Sequence, residues 1–384
     1  MQTAILGAGP AGLYLGYLLK RRNRDIDVRI IEQNPSDATF GFGVVFSDRA
    51  LEFLEQDDHD TFAAITPHLE RWQDITVVHR DDVIRIDGVG FAAIGRLHLL
   101  RILRDRARSV GLEPIYDRTI SSVEDLDACD LIVGADGVNS LVRNTFKEHF
   151  GSAVSSLTNR FAWFGTAKPF GTLTQTFRET PYGHFNVHHY RYSPAMSTFI
   201  IEVDEPTFRS VGFDRMDEGQ SKALCEQVFA DVLDGRPLVT NRSIWRQFPK
   251  VRNEHWSCDH CVLVGDALRT AHFSIGSGTR LAMEDVIALD KALQEHGDIR
   301  DALGAYEAVR RPVVDKLVQA ADASADWYEC FATHMQLAPL DFVMSYITRS
   351  GRVDRERLRQ VSPRFVAQYE AAHPRDGIAT GVTR

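Results

Sequence analysis

The stretch T-A-I-L-G-A-G-P-A-G-L-Y-L-G, residues 3–16, decides the fold of this chain. An apolar strand-like run leads into a turn with three glycines, and a helical pattern follows. Gly7 permits the tight turn, Gly9 lets the backbone approach a pyrophosphate, and Gly12 lets helix and strand pack closely. The N-terminus of the helix then stabilises the charge of a phosphate. The stretch therefore predicts a dinucleotide-binding turn.

An acidic residue stands at the end of the next strand. Asp27–Ile31 is a second strand-like run, and Glu32 follows it, 20 residues after Gly12. An acid at this place accepts hydrogen bonds from the ribose hydroxyls of a dinucleotide. The order strand, glycine turn, helix, strand and acid predicts a β-α-β unit.

The composition is that of an ordinary globular protein with an acidic balance. The 384 residues carry 44 basic and 53 acidic side chains, a net charge of −9. Proteins that bind nucleic acid show a basic field, so no nucleic-acid partner is expected. No apolar run approaches the roughly 18 residues of a membrane span, and the glycine motif occupies the place of a signal peptide's apolar core. We expect a cytoplasmic protein with no membrane partner.

The five cysteines fit a reducing compartment, because their number is odd and their spacing suggests no disulfide framework. Cys258 and Cys261 form a C-x-x-C pair, but a zinc site would need two further ligands at matching spacing. An apolar run follows this pair where a redox motif needs a helix start. We therefore predict structural cysteines and no metal site.

The order of elements predicts a mixed α/β fold in which one domain interrupts another. Leu131–Val133 and Val262–Val264 read as buried parallel strands, whereas the runs between about 155 and 250 alternate and favour an antiparallel sheet. We expect a Rossmann-like cofactor domain, an inserted β-rich substrate domain and C-terminal helices. The predicted boundaries are 1–74, 95–154 and 251–330 for the cofactor domain, 75–94 and 155–250 for the substrate domain, and 331–384 for the C-terminal helical segment and tail.

Four helical predictions are specific enough to be checked. Ser47–Glu55 is predicted as a helix with Ser47 as its N-cap. Single helices are predicted over Gly219–Leu233 and Asp301–Ala332, and a last helical segment over 339–370.

Two further acidic residues follow buried strands. Asp136 lies in V-G-A-D-G-V-N-S-L-V-R and Asp266 in V-L-V-G-D-A, both at the carboxyl end of a strand, which is the ligand edge of such a sheet. Asp266 also opens G-D-A-L-R-T-A-H-F-S-I-G-S-G-T-R, residues 265–280, a second glycine-rich stretch that lacks the G-x-G-x-x-G spacing. A nicotinamide dehydrogenase has no evident use for all of these turns.

These motifs resemble the single-component FAD-dependent aromatic hydroxylases of the para-hydroxybenzoate hydroxylase type. G-A-G-P-A-G, D-G-V-N-S-L-V-R, and G-D-A with its glycine-rich loop and Glu284-Asp285 follow in the family's order over roughly residues 1–330. The resemblance implies FAD as cofactor and NADH or NADPH as a transient electron donor. The implied FAD-binding residues are Gly7, Gly9, Pro10, Ala11, Gly12, Glu32, Gln33, Val45, Arg96, Asp136, Asp266, Gly276, Ser277 and Gly278.

The resemblance also implies a role for several of these residues. Arg96 matches an arginine at a helix start that contacts FAD, and Asp136 belongs to the turn linked to both FAD and the nicotinamide donor. Asp266 would bind the ribityl or pyrophosphate region. Gly276 and Gly278 would bring backbone amides near the flavin ring.

A closer resemblance is carried by F-G-F-G-V-V-F-S-D, F-A-W-F-G-T, H-H-Y-R-Y-S-P-A-M-S-T-F-I-I-E and A-H-F-S-I-G-S-G-T. These segments are similar to hydroxylases of 2-substituted benzoyl-CoA thioesters, such as salicylyl-CoA 5-hydroxylase and the flavin domain of 2-aminobenzoyl-CoA monooxygenase. They are also similar to the violacein-pathway hydroxylase, but S-Y-I-T-R-S-G-R-V, residues 345–353, favours the CoA-thioester group. The resemblance implies that molecular oxygen reacts through a flavin C4a-hydroperoxide. It implies hydroxylation para to a ring hydroxyl or amine, which is carbon 5 of a salicylyl ring.

Such chemistry needs apolar walls that keep water from the reacting oxygen. The candidate substrate-pocket residues are Val45, Phe46, Trp163, Phe177 and Phe273, with Phe40, Phe42 and Val44 as further apolar candidates. His272, His188 and Tyr190 are the candidate catalytic residues, because such groups could orient a phenol or take up its proton. Phe273 and Arg280 replace the proline and asparagine usual in the wider family, so the geometry of the family's loop is not transferred to this chain.

Several alternatives stay open at this stage. The substrate could be a free aromatic acid or a tryptophan-derived compound, and two other readings are an FAD-dependent reductase without oxygen activation and a flavin-binding protein without turnover. The choice between NADH and NADPH and the oligomeric state are not predicted. Cations that could bind the phosphates of CoA are scattered over Arg160, Arg178, Arg191, Arg246, Arg349 and Arg352.

Overall fold

The computed structural model describes residues 1–39, 41–47, 51–126 and 128–374. The strands in this part of the chain are β1 (Gln2–Leu6), β2 (Asp27–Ile31), β3 (Gly43–Ser47), β4 (Glu70–Trp72), β5 (Ile75–His79), β6 (Asp82–Ile86), β7 (Phe91–Gly95), β8 (Leu131–Gly134), β9 (Ala153–Thr166), β10 (Leu173–Thr180), β11 (Gly183–Arg191), β12 (Ser197–Val203), β13 (Leu238–Val239), β14 (Arg246–Arg252), β15 (Ser257–Cys258) and β16 (Cys261–Leu263). The helices are α1 (Pro10–Arg22), α2 (Glu52–Asp57), α3 (His59–Ile65), α4 (Arg96–Ser109), α5 (Leu141–Thr145), α6 (Lys147–Phe150), α7 (Glu205–Val211), α8 (Glu218–Val228), α9 (Ala230–Leu233), α10 (Gly278–Glu295), α11 (Ile299–Glu329), α12 (Phe331–His334), α13 (Pro339–Thr348), α14 (Arg355–Val361) and α15 (Pro363–Ala372).

A five-stranded sheet in the order β15-β16-β8-β1-β2 forms the centre of the cofactor-binding part. Strands β16, β8, β1 and β2 are mutually parallel, and their register aligns Leu6 with Ile31 and Gly134, and Gly134 with Leu263. The turns that follow these strands therefore meet at one edge, where the first glycine turn, Asp136 and Asp266 come together. The mixed α/β fold with its Rossmann-like unit is as predicted.

A second, larger sheet has the order β13-β9-β12-β11-β10-β5-β6, and β14 also pairs with β9. The strands β9 to β12 pair antiparallel, as predicted, but β5 adds to β10 in parallel. One face packs apolar side chains such as Phe164, Phe185 and Phe199 into a buried cluster that Phe229 closes. The other face turns toward the cofactor-binding part.

A third sheet of three strands, β3-β7-β4, was not predicted. It pairs Gly43 with Gly95 and places the segment 43–47 as a strand. The helix predicted over Ser47–Glu55 with Ser47 as its cap is therefore wrong: Ser47 ends a strand, and α2 begins at Glu52. The pairing of β3 with a strand almost 50 residues later overrides the local capping signal; the intervening residues 48–50 lie outside the described residues.

The predicted long helices are divided in the structure. The helix over Gly219–Leu233 breaks at Phe229, and the one over Asp301–Ala332 breaks at Cys330. The last predicted segment forms three helices, α13, α14 and α15, whose apolar residues pack with the sheet strand β5 and its neighbours. The domain boundaries given above remain a prediction.

No helix in the described part of the chain is long and apolar enough to cross a membrane. Residues 375–384 of the predicted C-terminal segment, and the candidate pocket residue Phe40, lie outside the described residues.

Candidate active site

A cleft of about 630 Å³ lies between the edge of the parallel sheet and the inner face of the large sheet. It joins both glycine-rich turns to aromatic and polar side chains of β9 and β11. The lining residues include Gly9, Pro10, Ala11, Val44, Val45, Arg96, Gly137, Phe161, Trp163, His188, Tyr190, Ile200, Asp266, Phe273, Gly276, Ser277, Gly278 and Thr279. Most of the sequence-predicted site residues therefore share one continuous space.

The three glycines of the first turn meet different surroundings. Gly7 has a φ of +101°, and a Cβ there would lie 2.4 Å from the carbonyl oxygen of Ala135. A Cβ on Gly12 would lie 2.0 Å from the oxygen of Gly7, so helix and turn touch backbone to backbone. Around Gly9 there is open space within 4 Å. Gly7 and Gly12 thus make the turn possible, and Gly9 leaves room for a ligand.

Both glycine-rich turns present the N-terminus of a helix to the same cleft. α1 begins after Gly9 and α10 after Ser277, and neither cap residue satisfies the first backbone amides with its side chain. Gly276 has a φ of +60°, and a Cβ there would lie 3.1 Å from Val45. Two helix N-termini facing one space concentrate free N–H groups and positive dipole ends, which suits a diphosphate.

Glu32 lies at the outer end of this site, beside the first turn. Its carboxylate accepts hydrogen bonds from the backbone amide of Ala8, at 2.9 Å, and from the backbone and side-chain N–H groups of Asn34 at 2.8 and 2.7 Å. Gln33 is exposed next to it. Neither Glu32 nor Gln33 is among the residues that line the cleft itself.

Two acids follow strands at this edge of the parallel sheet. Asp136 accepts the backbone amide of Leu141 at 2.7 Å with Oδ2, while its buried Oδ1 has no partner among the described residues. Asp266 lines the cleft. Desolvation by the surrounding protein raises the pKa of its carboxyl group, and the charges of Arg96 and Arg269 partly offset that rise. Burial likewise raises the pKa of Asp136. Asp136 itself is not among the residues that line the cleft.

His188 is a buried polar residue on the wall of the cleft. It lines the cleft, only 6% of its surface is exposed, and neither ring nitrogen has a partner among the described residues. Burial and the charge of Arg349 lower its pKa to about 3, so the imidazole is neutral. Tyr190 lies nearby, but its hydroxyl donates to the backbone oxygen of Gly43 at 3.0 Å, and burial raises its pKa.

His272 does not belong to the cleft lining. Its Nδ1 pairs with the hydroxyl of Ser274 at 2.8 Å, and its ring packs between Phe248, Phe273 and Tyr328. Burial lowers its pKa to about 3, as does the charge of Arg349. The structure therefore places His272 behind the second glycine turn, as a support of that loop.

The predicted apolar walls fall into two groups. Val45, Trp163 and Phe273 line the cleft. Phe46 packs instead into the core around the parallel sheet, and Phe177 meets the ring of Phe342 at 4.7 Å under the C-terminal helices. The structure does not bring these last two side chains to the cleft.

Gln175 is a site residue that was not predicted, and Arg349 was predicted only as one of several possible partners of the CoA phosphates. Together with His188 and the 273–276 loop they line a cavity of about 50 Å³ beside the cleft. Arg349 donates to the hydroxyl of Ser324, to the backbone oxygen of Tyr346 and to that of Ser274, at 2.9, 2.6 and 2.9 Å. The only signal in the sequence for Gln175 is its place on β10, where alternate side chains share one face of the sheet.

The residues present fit a flavin dinucleotide. The free helix N-termini, the open space at Gly9 and the carboxylate of Asp266 match the phosphates and hydroxyls of its nucleotide and ribityl parts. Gly276 and Gly278 have no side chains, so their backbone lines the same cleft as the aromatic side chains of Trp163 and Phe273. Arg96 lies across the cleft from them at the start of α4.

The chain belongs to the family described as FAD binding domain, whose model matches residues 1–321. Its similar proteins are aromatic monooxygenases. A salicyloyl-CoA 5-hydroxylase from a Streptomyces species is 38% identical over 361 residues, which cover 91% of this chain and 70% of that protein. The resemblance inferred from the motifs is confirmed, and the chain is a flavin-dependent aromatic monooxygenase.

Two further relatives are 31% identical to the chain. One is a 3-hydroxy-4-methyl-anthranilyl-[aryl-carrier protein] 5-monooxygenase from Streptosporangium sibiricum, with coverage of 92% of this chain and 95% of that protein. The other is the protodeoxyviolaceinate monooxygenase of Chromobacterium violaceum, with coverage of 91% and 94%.

Among solved structures, a variant of 2-methyl-3-hydroxypyridine-5-carboxylic acid oxygenase has the same fold. The TM-score is 0.73, with coverage of 91% of this chain and 96% of that one. At 17% identity this likeness concerns the fold alone.

Proposed function

We propose that this chain is a single-component, NAD(P)H-dependent FAD monooxygenase that hydroxylates a 2-hydroxy- or 2-aminobenzoyl-CoA thioester para to the ring substituent. For a salicylyl group the product is the 5-hydroxy compound. The observation that carries the proposal is the single cleft that runs from two helix N-termini to an aromatic wall with a buried, unpaired histidine. One end suits a diphosphate, and the other suits a substituted ring.

The cofactor would lie along the lower part of this cleft. FAD, when bound and reduced, supplies the chemistry of oxygen activation. Gly9 and the N-terminus of α1 would hold the pyrophosphate, and Glu32 the adenosine ribose. Asp266 and the N-terminus of α10 would hold the ribityl chain and the edge of the ring system.

The apolar side chains around the reacting end would exclude water. Val45, Trp163 and Phe273 line the cleft on different sides, from β3, β9 and the second glycine turn. Tyr190 is fixed to the backbone of β3 by its hydroxyl and so holds two sheets together at this point. A dry, rigid wall limits the loss of activated oxygen to water and directs it to the ring.

A histidine base does not suit this site. An imidazole whose pKa is about 3 holds a proton poorly, and this applies to both His188 and His272. His188 would therefore act as a neutral hydrogen-bond partner that orients the substrate. The ring hydroxyl or amine would itself supply the electron density at the para carbon.

The electron donor would bind without a nucleotide-binding domain of its own. The chain contains one G-x-G-x-x-G turn. Half-buried Gly137 and exposed Asn139 both line the cleft, and a nicotinamide could approach transiently there. The proposal includes a cytoplasmic setting, with which the five free cysteines agree.

The choice of a thioester is supported by two relatives. The relatives at 38% and 31% identity are named for an aromatic acyl group joined to CoA and to an aryl-carrier protein, respectively. The protodeoxyviolaceinate monooxygenase, also at 31% identity, is named for a substrate without such a carrier. A substrate of that kind is therefore the alternative for this chain.

The test is NADH and NADPH oxidation by the purified yellow holoenzyme with salicylyl-CoA, free salicylate and tryptophan. We expect salicylyl-CoA to stimulate oxidation of the nicotinamide and oxygen uptake together, with a hydroxylated thioester as product. Stimulation by the free acid or tryptophan, but not by the thioester, would contradict the proposed substrate. Stimulated oxidation without oxygen uptake would contradict the proposed reaction.

A further inference from the structure

A small cavity of about 50 Å³ opens beside the cleft, and His188 lines both spaces. Its floor is formed by β10 and β11, its roof by Phe273, Ser274 and Gly276 of the second glycine turn, and its end by Tyr346 and Arg349. A cavity of about 150 Å³ is needed to hold a benzene ring. This space can therefore take the substituted edge of a ring whose body lies in the cleft.

Two unpaired polar side chains stand next to each other on the floor of this cavity. Gln175 and His188 are directly paired across the antiparallel strands β10 and β11, so their side chains share one face with Cβ atoms about 5 Å apart. Gln175 is 1% exposed. In the described part of the chain, its Oε1 and both ring nitrogens of His188 have no hydrogen-bond partner.

Leaving such groups unpaired in the interior is unfavourable, at about 1–3 kcal/mol for each. Native proteins rarely retain them without a ligand or a bound water as partner. The strand itself does not require a polar residue at either position, since Ile200 and Trp163 occupy the same row of the sheet. Two neighbouring exceptions in one cavity thus indicate a ligand with polar groups on adjacent atoms.

We propose that Gln175 binds the ortho substituent, and His188 the neighbouring carbonyl oxygen, of the substrate's benzoyl group. This inference rests on the proposed function and names how the enzyme selects its ring. An amide and a neutral imidazole offer both donors and acceptors, which match a hydroxyl or amine beside a carbonyl. Neither carries a charge, so the pair suits an uncharged thioester. Arg349 at the cavity end already donates to Ser274, Ser324 and Tyr346.

The two side chains also determine which ring carbon faces the reacting end of the cleft. With the ortho substituent held on the strand side of the cavity, the carbon para to it points away from β10 and β11. The opposite side of that space is the second glycine turn, where Gly276 lies beside Val45. Gln175 and His188 are therefore positioning residues that turn the para carbon toward the reacting end of the cleft.

The test compares two thioesters that differ only in the ortho hydroxyl. The holoenzyme is titrated with 2-hydroxybenzoyl-CoA and with benzoyl-CoA, and the change in the flavin absorption spectrum gives each Kd. We expect the wild type to prefer the hydroxylated ring at least about tenfold, which corresponds to about 1.4 kcal/mol. In Gln175→Met that preference falls to about twofold, while the Kd of benzoyl-CoA changes little, as expected when one hydrogen bond is lost.

Thr176→Val is the matched control. Thr176 is the next residue of β10, is equally buried, and points to the opposite face, where it meets His189. It should keep the wild-type preference. Since Gln175→Met removes an unpaired buried group, the variant should fold and bind FAD; Gln175→Leu serves as a second apolar variant.

A wild-type preference that survives in both Gln175 variants overturns the inference, as does a wild type that binds both thioesters equally. If neither thioester perturbs the flavin, the proposed substrate class fails instead. The same comparison with salicylate and benzoate then decides the role of Gln175: a preference for salicylate that is lost in Gln175→Met supports it, and one that is absent or unchanged contradicts it.

Discussion

The glycines of the first turn differ in what a methyl group would do at each. At Gly12 the added carbon would meet the backbone oxygen of Gly7 at 2.0 Å, whereas at Gly9 it would enter open space in the cleft. Gly9 has an ordinary φ of −72°, so alanine fits its backbone. The structure thus separates a glycine required by folding from one that leaves room for a cofactor.

Gly9→Ala and Gly12→Ala should therefore fail in different ways. We expect Gly12→Ala to lower the free energy of unfolding of the apoprotein by about 1–3 kcal/mol, through overpacking against backbone. Gly9→Ala should keep that free energy within about 1 kcal/mol but weaken FAD binding by about tenfold or more, a loss of at least about 1.4 kcal/mol. Urea unfolding and flavin fluorescence titration measure the two effects. A Gly9→Ala protein that binds FAD like the wild type would contradict the assignment of this turn.

The buried histidines make stability depend on pH in a stated direction. His272 has its pKa lowered to about 3 in the folded protein, mainly by burial, while an unfolded histidine titrates near 6.5. The unfolded chain therefore binds a proton that the folded chain does not. The contribution of neutral His272 to the free energy of unfolding is fully present above about pH 6.5. It is lost as the pH falls from there toward 3.

His272→Gln should reduce the loss of unfolding free energy at low pH by the contribution of one histidine. Between pH 6 and 5 we expect the wild type to lose about 1.4 kcal/mol for each such histidine, and the variant to lose that much less than the wild type. Urea unfolding at a series of pH values measures the slope. His59→Gln, at an exposed position, is the control and should keep the wild-type slope. An unchanged slope in His272→Gln would show that this imidazole does not stay neutral in the fold.

At the scale of elements, a buried charge network fixes α10 to α11 and to the G-D-A turn. Asp285 is fully buried and accepts hydrogen bonds from Arg269 at 2.6 Å and from Arg310 at 3.1 Å. Arg310 also binds Glu284 at 3.0 Å. Since α10 begins at the second glycine turn, this network holds the helix whose N-terminus faces the cleft.

Asp285→Asn should be strongly destabilising, because it leaves Arg269 and Arg310 with one carboxylate charge fewer in the interior. We expect the free energy of unfolding to fall by about 3–5 kcal/mol. Asp315→Asn, at an exposed position on α11, should change it by less than about 0.5 kcal/mol. Thermal or urea unfolding of the two variants measures the difference, and equal stabilities would show that the network contributes nothing.

The sequence predicts elements best where local pattern and tertiary environment agree. The strand Asp27–Ile31 is found with the predicted ends. The sheet β3-β7-β4 was missed because its pairing joins segments far apart in the chain, and Ser47 gave a capping signal that this pairing overrides.

The same distinction holds for the site. The glycine turns and the acids at strand ends follow from spacing, so they could be predicted before the structure. Burial and partners do not follow from spacing. His272 was expected as a catalytic group and instead binds Ser274 behind the loop, while Gln175 acquires a site only through its cross-strand neighbour His188.

At the scale of the whole molecule, the cleft exists because the two large sheets face each other. The edge of the parallel sheet provides helix N-termini and acids, and the inner face of the larger sheet provides Trp163 and His188. The C-terminal helices close the far end, where Arg349 of the segment after α13 holds the second glycine turn. A cofactor in the lower part would thus meet a ring held on the sheet above it.

The most direct test of this account follows an oxygen atom into the product. The holoenzyme is supplied with NADH or NADPH, isotopically labelled dioxygen and 2-hydroxybenzoyl-CoA, and the product is examined by mass spectrometry and NMR. We expect one labelled oxygen on the ring, para to the original hydroxyl, with the thioester intact. An unlabelled product, or consumption of the nicotinamide and oxygen that yields only hydrogen peroxide with this thioester, would contradict it.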